Sequence, residues 1–163
     1  METILVSMET LASRPPLPDL ERHLGYWLRQ VSNHVSGEFK RALQAQRVSV
    51  AEWVVLCHVQ ERPGITPGEL ADMLALTRGA VSKVIDKLEA KSWITGSTKP
   101  EDHRVRLFSL TQRGSRALPK LREIADRNDE RFFAVLQAGE RATLQLLLSK
   151  LIEHHEIGAV PIQ

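Results

Sequence analysis

Residues 76–114 read LTRGAVSKVIDKLEAKSWITGSTKPEDHRVRLFSLTQRG, and their reading decides the fold. Thr77 is a helix N-cap residue type: its hydroxyl can accept from an amide that the first turn leaves unpaired. The spacing that follows predicts a helix to about Ser92. Val81, Val84, Ile85 and Leu88 recur at three- and four-residue steps and form its apolar stripe. Arg78, Gly79, Ser82, Lys83, Asp86 and Lys87 fall on the opposite face. Trp93–Ser97 and Val105–Leu110 are rich in β-branched and aromatic residues and bracket a polar loop, which predicts a strand, a hairpin and a second strand. The hairpin tip is Pro100-Glu101-Asp102-His103-Arg104.

Upstream, two further capping signals lie close together. Ser49-Val50-Ala51-Glu52 is a capping box, in which Ser and Glu each satisfy the other's free amide. It opens a helix to about Gln60 with Trp53, Leu56, Cys57 and Gln60 on one side. Thr66-Pro67-Gly68-Glu69 is a second box, with Pro at the first helical position, where a missing N–H does no harm. It opens a short helix through Leu70, Ala71 and Leu74, and Arg62-Pro63-Gly64 is the turn between the two. Earlier still, Leu20, Leu24, Trp27, Leu28, Val31, Val35, Phe39, Ala42 and Leu43 predict a long helix from about Asp19 to Ala45, with Asp19 as its cap. Its apolar surface exceeds what one small lobe can cover, so part of it is expected against a second copy of the chain. Residues 1–18 read as a flexible arm, because Pro15, Pro16 and Pro18 disfavour helix.

Downstream, Thr111 caps a long helix expected to reach about Gln137, with Gly114 and Pro119 in its first turns and a kink or offset start there. Ala138-Gly139-Glu140 breaks the pattern. A last helix carries Leu144, Leu147, Leu148, Leu151 and Ile152 to about His155, and 156–163 are a tail.

Composition narrows the functional classes. The chain has 163 residues with 42% hydrophobic content, enough for one sizeable core. Its net charge is only +2, yet Leu76–Arg106 alone holds seven cations against four anions. A basic stripe on a near-neutral body suits docking by one face to a phosphate backbone. Cys57 is the single cysteine, which excludes an intrachain disulfide and points to a reducing, cytoplasmic setting. No apolar run approaches the ~20 residues that span a bilayer, so no membrane partner is expected. The start, Met1-Glu2 and a short apolar Ile4–Val6 with no basic residue before it, does not read as a signal peptide. There is no Gly-rich phosphate loop, no Gly-x-Ser-x-Gly elbow and no His-Glu-x-x-His, so neither an enzyme nor a cofactor is expected.

A short helix, a turn of about three residues and a second helix with a polar outer face make a helix-turn-helix, here 67–74 and 78–91. Alone the pair says little, since small helical bundles contain such pairs. The basic-tipped hairpin behind it adds a wing. The second helix then suits a major groove and the tip the adjacent minor groove of double-stranded DNA. The fold class expected is mainly α with a small β-hairpin wing. The DNA-binding lobe would lie at about 49–111, within a regulator domain spanning 19–155. Helices at about 19–45 and 112–155 are left for dimerisation.

Leu88-Glu89-Ala90-Lys91, then Asp102-x-Arg104, then Ser109-Leu110-Thr111-x-x-Gly114 make the chain resemble the MarR family of bacterial winged-helix regulators over roughly 20–155. The resemblance implies terminal helices that form a homodimer on a pseudo-palindromic operator, and a ligand-responsive repressor. It implies that Arg104 enters the minor groove while Asp102 orients it through a charge-assisted hydrogen bond. It places the N-terminal half of the recognition helix on Thr77–Lys83. Expected DNA contacts are Thr77, Arg78, Gly79, Ser82, Lys83 and Lys87 on the helix, with Lys99, Asp102, His103, Arg104 and Arg106 on the wing. The chain departs from the family pattern at Ser92, where Gly is frequent, and at Gly96-Ser97, where an Arg is frequent. Backbone contacts there would weaken or move to Lys99 and Arg106.

Members of the family commonly bind aromatic acids or other phenolics between the dimerisation helices and the DNA-binding unit. The resemblance therefore offers Tyr26, Trp27 and Trp53 as the lining of an effector pocket, with Gln30, Asn33 and His34 as polar contacts. The plainer reading makes the aromatics core. Cys57 is either a buried thiol or an oxidant sensor, and its apolar neighbours Val54, Val55, Leu56 and Val59 favour the first. His154, His155 and Glu156, like His34 and Glu38, read as exposed helix residues rather than metal ligands. The alternative of a different class is a winged-helix adaptor for another protein, which has no need of Arg78, Lys83 and Arg104 together.

Overall fold

The computed structural model describes residues 19–99 and 102–158, with His103 as main chain only. The expected arm at 1–18, the tip residues Pro100 and Glu101, and residues 159–163 of the tail lie outside the described residues. The chain divides into two compact units, one ending at Gly37 and the other beginning at Glu38, so the division falls within the first long helix.

In the first unit a 3-10 turn at Asp19–Arg22 precedes α1, Leu24–Gln44. A single helix from Asp19 is therefore corrected. The Glu21 carbonyl accepts the Trp27 indole N–H at 2.8 Å, a side-chain donor in place of a helical amide. Tyr26 lies edge-on to Trp27, with ring centres 5.9 Å apart. Leu20, Leu24, Leu28 and Val31 are exposed, as is much of Trp27.

In the second unit both capping boxes form as spelled. Ser49 and Glu52 exchange main-chain and side-chain bonds at 2.8 and 3.2 Å at the head of α2, Val50–Glu61. Thr66 and Glu69 do the same at the head of α3, Pro67–Leu74. The buried face of α2 is turned from the stripe expected: Glu52, Val55, Leu56 and Val59, at i, i+3, i+4 and i+7, are buried, while Trp53 and Cys57 are half-buried and Gln60 is exposed.

The α3 helix ends at Ala75, whose φ of 50° is left-handed, and Thr77 then opens α4, Arg78–Ala90. Past α4, Ser92 also takes a left-handed φ of 55°, and the Trp93 amide bonds back to Leu88 O at 3.0 Å. The Cβ makes that conformation costly, by roughly 1–2 kcal/mol.

The wing is an antiparallel pair, β1 at Ile94–Lys99 and β2 at Asp102–Leu110, both reaching further toward the tip than composition predicts. The register runs from Ile94↔Leu110 to Thr98↔Arg106, then shifts to Lys99↔Asp102. At its root Phe108 donates its amide to Ile65 O, and its carbonyl accepts from Gly64 N, both at 2.9 Å. The wing is thereby tied to the turn that leads into α3.

Thr111 caps α5, Gln112–Phe133, accepting from Gly114 N at 3.1 Å, and the helix continues through Pro119. It stops four residues short of the expected Gln137. The break is at 134–137, not 138–140, because Glu140 accepts the Gln137 amide at 2.8 Å and belongs to the first turn of α6, Ala138–His154. The core joins Val55, Leu56 and Val59 to Leu70 and Leu74, Val81, Ile85 and Leu88, Phe108, and Leu118 and Leu121. No residue of α6 is buried, and Leu146, Leu147, Leu151 and Ile152 stand exposed along it. Among the described residues, no helix is long and apolar enough to cross a membrane.

Candidate nucleic-acid interface

Burial of Val81, Ile85 and Leu88 fixes which side of α4 faces the core. Thr77, Arg78, Gly79, Ser82, Lys83 and Lys87 are accordingly all exposed on its outer side. The Thr77 hydroxyl accepts from Ala80 N at 3.2 Å, as expected of an N-cap. The first turn of α4 contains no acid and begins with Arg78, whereas the first turns of α2 and α3 hold Glu52 and Glu69. A cation there opposes the helix dipole and costs stability unless an anion is to be bound. Such a local conflict is what a functional surface leaves in a sequence.

On the wing, Lys99, Asp102 and Arg104 are exposed. An Asp102 carboxylate oxygen accepts the Arg104 main-chain amide at 3.0 Å. The expected orientation of Arg104 by Asp102 thus acts on the backbone rather than on the guanidinium. The bond holds the strand where the ladder register shifts, and it leaves the guanidinium without an ion pair among the described residues. Nothing is described of the His103 side chain.

Two cations counted in the basic stretch are engaged within the fold. Lys91 turns inward, donates to Arg47 O at 2.7 Å and to the Glu52 carboxylate, and lies 5.3 Å from the Trp93 ring centre. Glu52 is 4% exposed. Burial works to raise its carboxyl, but the Lys91 hydrogen bond, the Ser49 amide and hydroxyl and the Lys91 charge together hold it below the ordinary carboxylate value. Arg106 bonds Glu89 at 2.8 Å and lies 4.7 Å over the Phe108 ring. Sequence reasoning read Glu52 as a cap alone and missed both ion pairs. Their members lie 39 and 17 residues apart, so no local pattern signals them. The exposed cations of the stretch not so engaged among the described residues are Arg78, Lys83 and Lys87 on α4, and Lys99 and Arg104 on the wing.

The other sites raised by the sequence are placed as follows. Tyr26, Trp27, Gln30, Asn33 and His34 belong to the first unit and Trp53 to the second. Trp53 packs edge-on against Phe39 at 5.0 Å, and its buried indole N–H has no hydrogen-bond partner among the described residues. A groove of about 410 Å³ lies elsewhere, between α5 and α6, lined by Phe133, Leu144, Leu148 and Ile152 beside the Arg141–Asp129 pair. Cys57 is half-buried, and burial pushes its thiol up against the lowering influence of Arg122. That favours the inert thiol over the thiolate. Among the described residues, no group of His, Cys, Asp and Glu could hold a metal ion.

Residues 48–105, which span α2 to the wing, match the model of the MarR family. The "Putative transcriptional regulatory protein for hcr operon" of Thauera aromatica is 30% identical over 129 residues, 78% of each chain. A mutant MarR from Escherichia coli complexed with operator DNA superimposes with a TM-score of 0.69 at 28% identity, over 79% of this chain and 93% of that one. A MarR family protein of Mycobacterium tuberculosis in complex with p-aminosalicylic acid gives 0.65 at 26% identity, over 79% and 98%. Motif, fold and relatives agree, and the chain belongs to the MarR family of sequence-specific DNA-binding regulators.

Proposed function

We propose that this chain is a homodimeric repressor that acts in the cytoplasm on a pseudo-palindromic operator. Each subunit lays α4 in a major groove, with Arg78, Ser82, Lys83 and Lys87 toward bases and phosphates and with Thr77 and Gly79 allowing close backbone approach. The wing brings Lys99, His103 and Arg104 to the minor groove, with Asp102 holding the turn. Two-fold symmetry then places half-sites about one helical turn apart, ~10 bp. The observation that carries this reading is Arg78 in the first turn of α4, a cation set against the helix dipole on an exposed face. Selection of bound duplexes from a random-sequence pool tests it. Recovery of an inverted repeat with that spacing is expected, and recovery of no enriched site overturns the reading.

A second reading, that the repressor releases DNA on binding an aromatic or phenolic acid, is favoured by the buried and unpartnered Trp53 indole N–H. An apolar site with one unsatisfied donor suits a flat ligand that carries an acceptor. The relative bound to p-aminosalicylic acid supports this ligand class. Titration with p-aminosalicylate and related benzoates should quench tryptophan emission and weaken DNA binding over the same concentration range. Emission unchanged by the whole panel would leave Trp53 a core residue.

A further inference from the structure

We propose that Arg106 is a positioning residue that braces the wing against the recognition helix, with Glu89 as its anchor and Gly96 as its seat. The inference rests on the proposed docking of α4 and the wing on DNA, and concerns what sets their mutual angle. The Arg106 guanidinium bonds Glu89, in the last turn of α4, at 2.8 Å. The guanidinium carbon lies 4.7 Å from the Phe108 ring centre. Phe108 is 1% exposed and pairs with Gly96 across the ladder. A Cβ on Gly96 would come 2.7 Å from Arg106 Nη2 and 3.1 Å from Phe108 Cε1. The space beside the ring therefore exists because residue 96 has no side chain, and the guanidinium occupies it.

An isolated exposed ion pair orders little. Here an ion pair, a ring face and a backbone-walled seat converge on one planar group. They join an element bound for the major groove to one bound for the minor groove. Glu89 is otherwise ill placed, since a carboxylate near a helix C-terminus meets the negative end of the dipole. Arg106 supplies the counter-charge. The pair is neutral overall, so it adds nothing to the release of counterions from DNA.

The test uses the full chain and one labelled duplex, recovered by the wild type from a random-sequence pool, titrated at several salt concentrations. Glu89→Gln, Arg106→Gln and Gly96→Ala should each weaken binding by about three- to tenfold, within the range for loss of one coupling contact. The slope of log affinity against log salt should stay at its wild-type value in all three. The double variant Glu89→Gln/Arg106→Gln should be no weaker than the worse single variant. A direct phosphate contact gives the opposite pattern. Arg106→Gln then lowers the slope by about 0.9, and Glu89→Gln tightens binding because it removes a negative charge near DNA. That pattern overturns the proposal. Amide hydrogen exchange in the hairpin of the free protein separates its failure from failure of the DNA-binding mode. The brace predicts faster exchange in Glu89→Gln and Arg106→Gln, and unchanged exchange overturns it whatever the DNA result.

Discussion

At Gly114 a Cβ would lie 2.0 Å from Trp93 O, closer than any packing adjustment of a side chain can relieve. The same carbonyl accepts from Thr111 N at 3.0 Å, and the Thr111 hydroxyl donates to Ser92 O at 2.7 Å. The first turn of α5 is thereby held against the end of α4 and the root of β1. Gly114→Ala should cost about 2–3 kcal/mol, the upper range for forcing an extra methyl into a packed joint, read as a lower urea midpoint. Glu52 makes the second prediction at this scale. Its carboxyl is held low in the folded chain, so its stabilisation is present above its unfolded value of about 4.3 and is lost as pH falls through the lower folded value. Stability should fall below about pH 4.3. Glu52→Gln should flatten that acid limb and cost roughly 1–2 kcal/mol at neutral pH. An acid limb that is as steep in the variant would assign the effect to other carboxylates.

At the scale of elements, the wing is governed by two different bonds. Asp102 shapes the tip through the Arg104 amide, while the Arg104 guanidinium is left exposed. Arg104→Ala should therefore weaken DNA binding by about 1–3 kcal/mol, as for an inserted cation. Asp102→Ala should weaken it less, because the guanidinium survives and only its backbone is loosened. Titration of one labelled duplex at fixed salt compares the two, and a wild-type affinity in Arg104→Ala would remove the minor-groove assignment. The helix-turn-helix itself was legible almost residue for residue, as 67–74 and 78–91 against Pro67–Leu74 and Arg78–Ala90. Thr66, Glu69 and Thr77 bond within three residues, so their signals are local. The strand ends and the break before α6 were read less well. Hairpin length depends on pairing across the ladder, and Glu140 caps the helix it was expected to interrupt.

For the whole molecule, Leu147, Leu148, Leu151 and Ile152 stand exposed on one side of α6. A contiguous apolar face of this kind marks an association surface, and the chain should sediment as a dimer at micromolar concentration. Leu151→Glu should shift the population toward monomer and loosen DNA binding with it, since two half-sites are then no longer read together. A monomeric wild type would sink both the dimer and the palindrome.

The sequence by itself determined the element order, the three helix caps around the DNA-binding pair, the outward basic face of α4 and the wing motif. These rest on interactions within a few residues or on a stripe of fixed period, so they are written along the chain. Only the tertiary structure decided which cations are tied within the fold. Lys91 and Arg106 look no different in sequence from Lys83 and Arg104, yet Glu52 draws Lys91 inward and Glu89 ties the exposed Arg106 to the end of α4. It also decided that Asp102 grips a backbone rather than a guanidinium, and that Gly96 makes room for Arg106. Each of these depends on a partner brought near by packing, and distance along the chain carries no record of it.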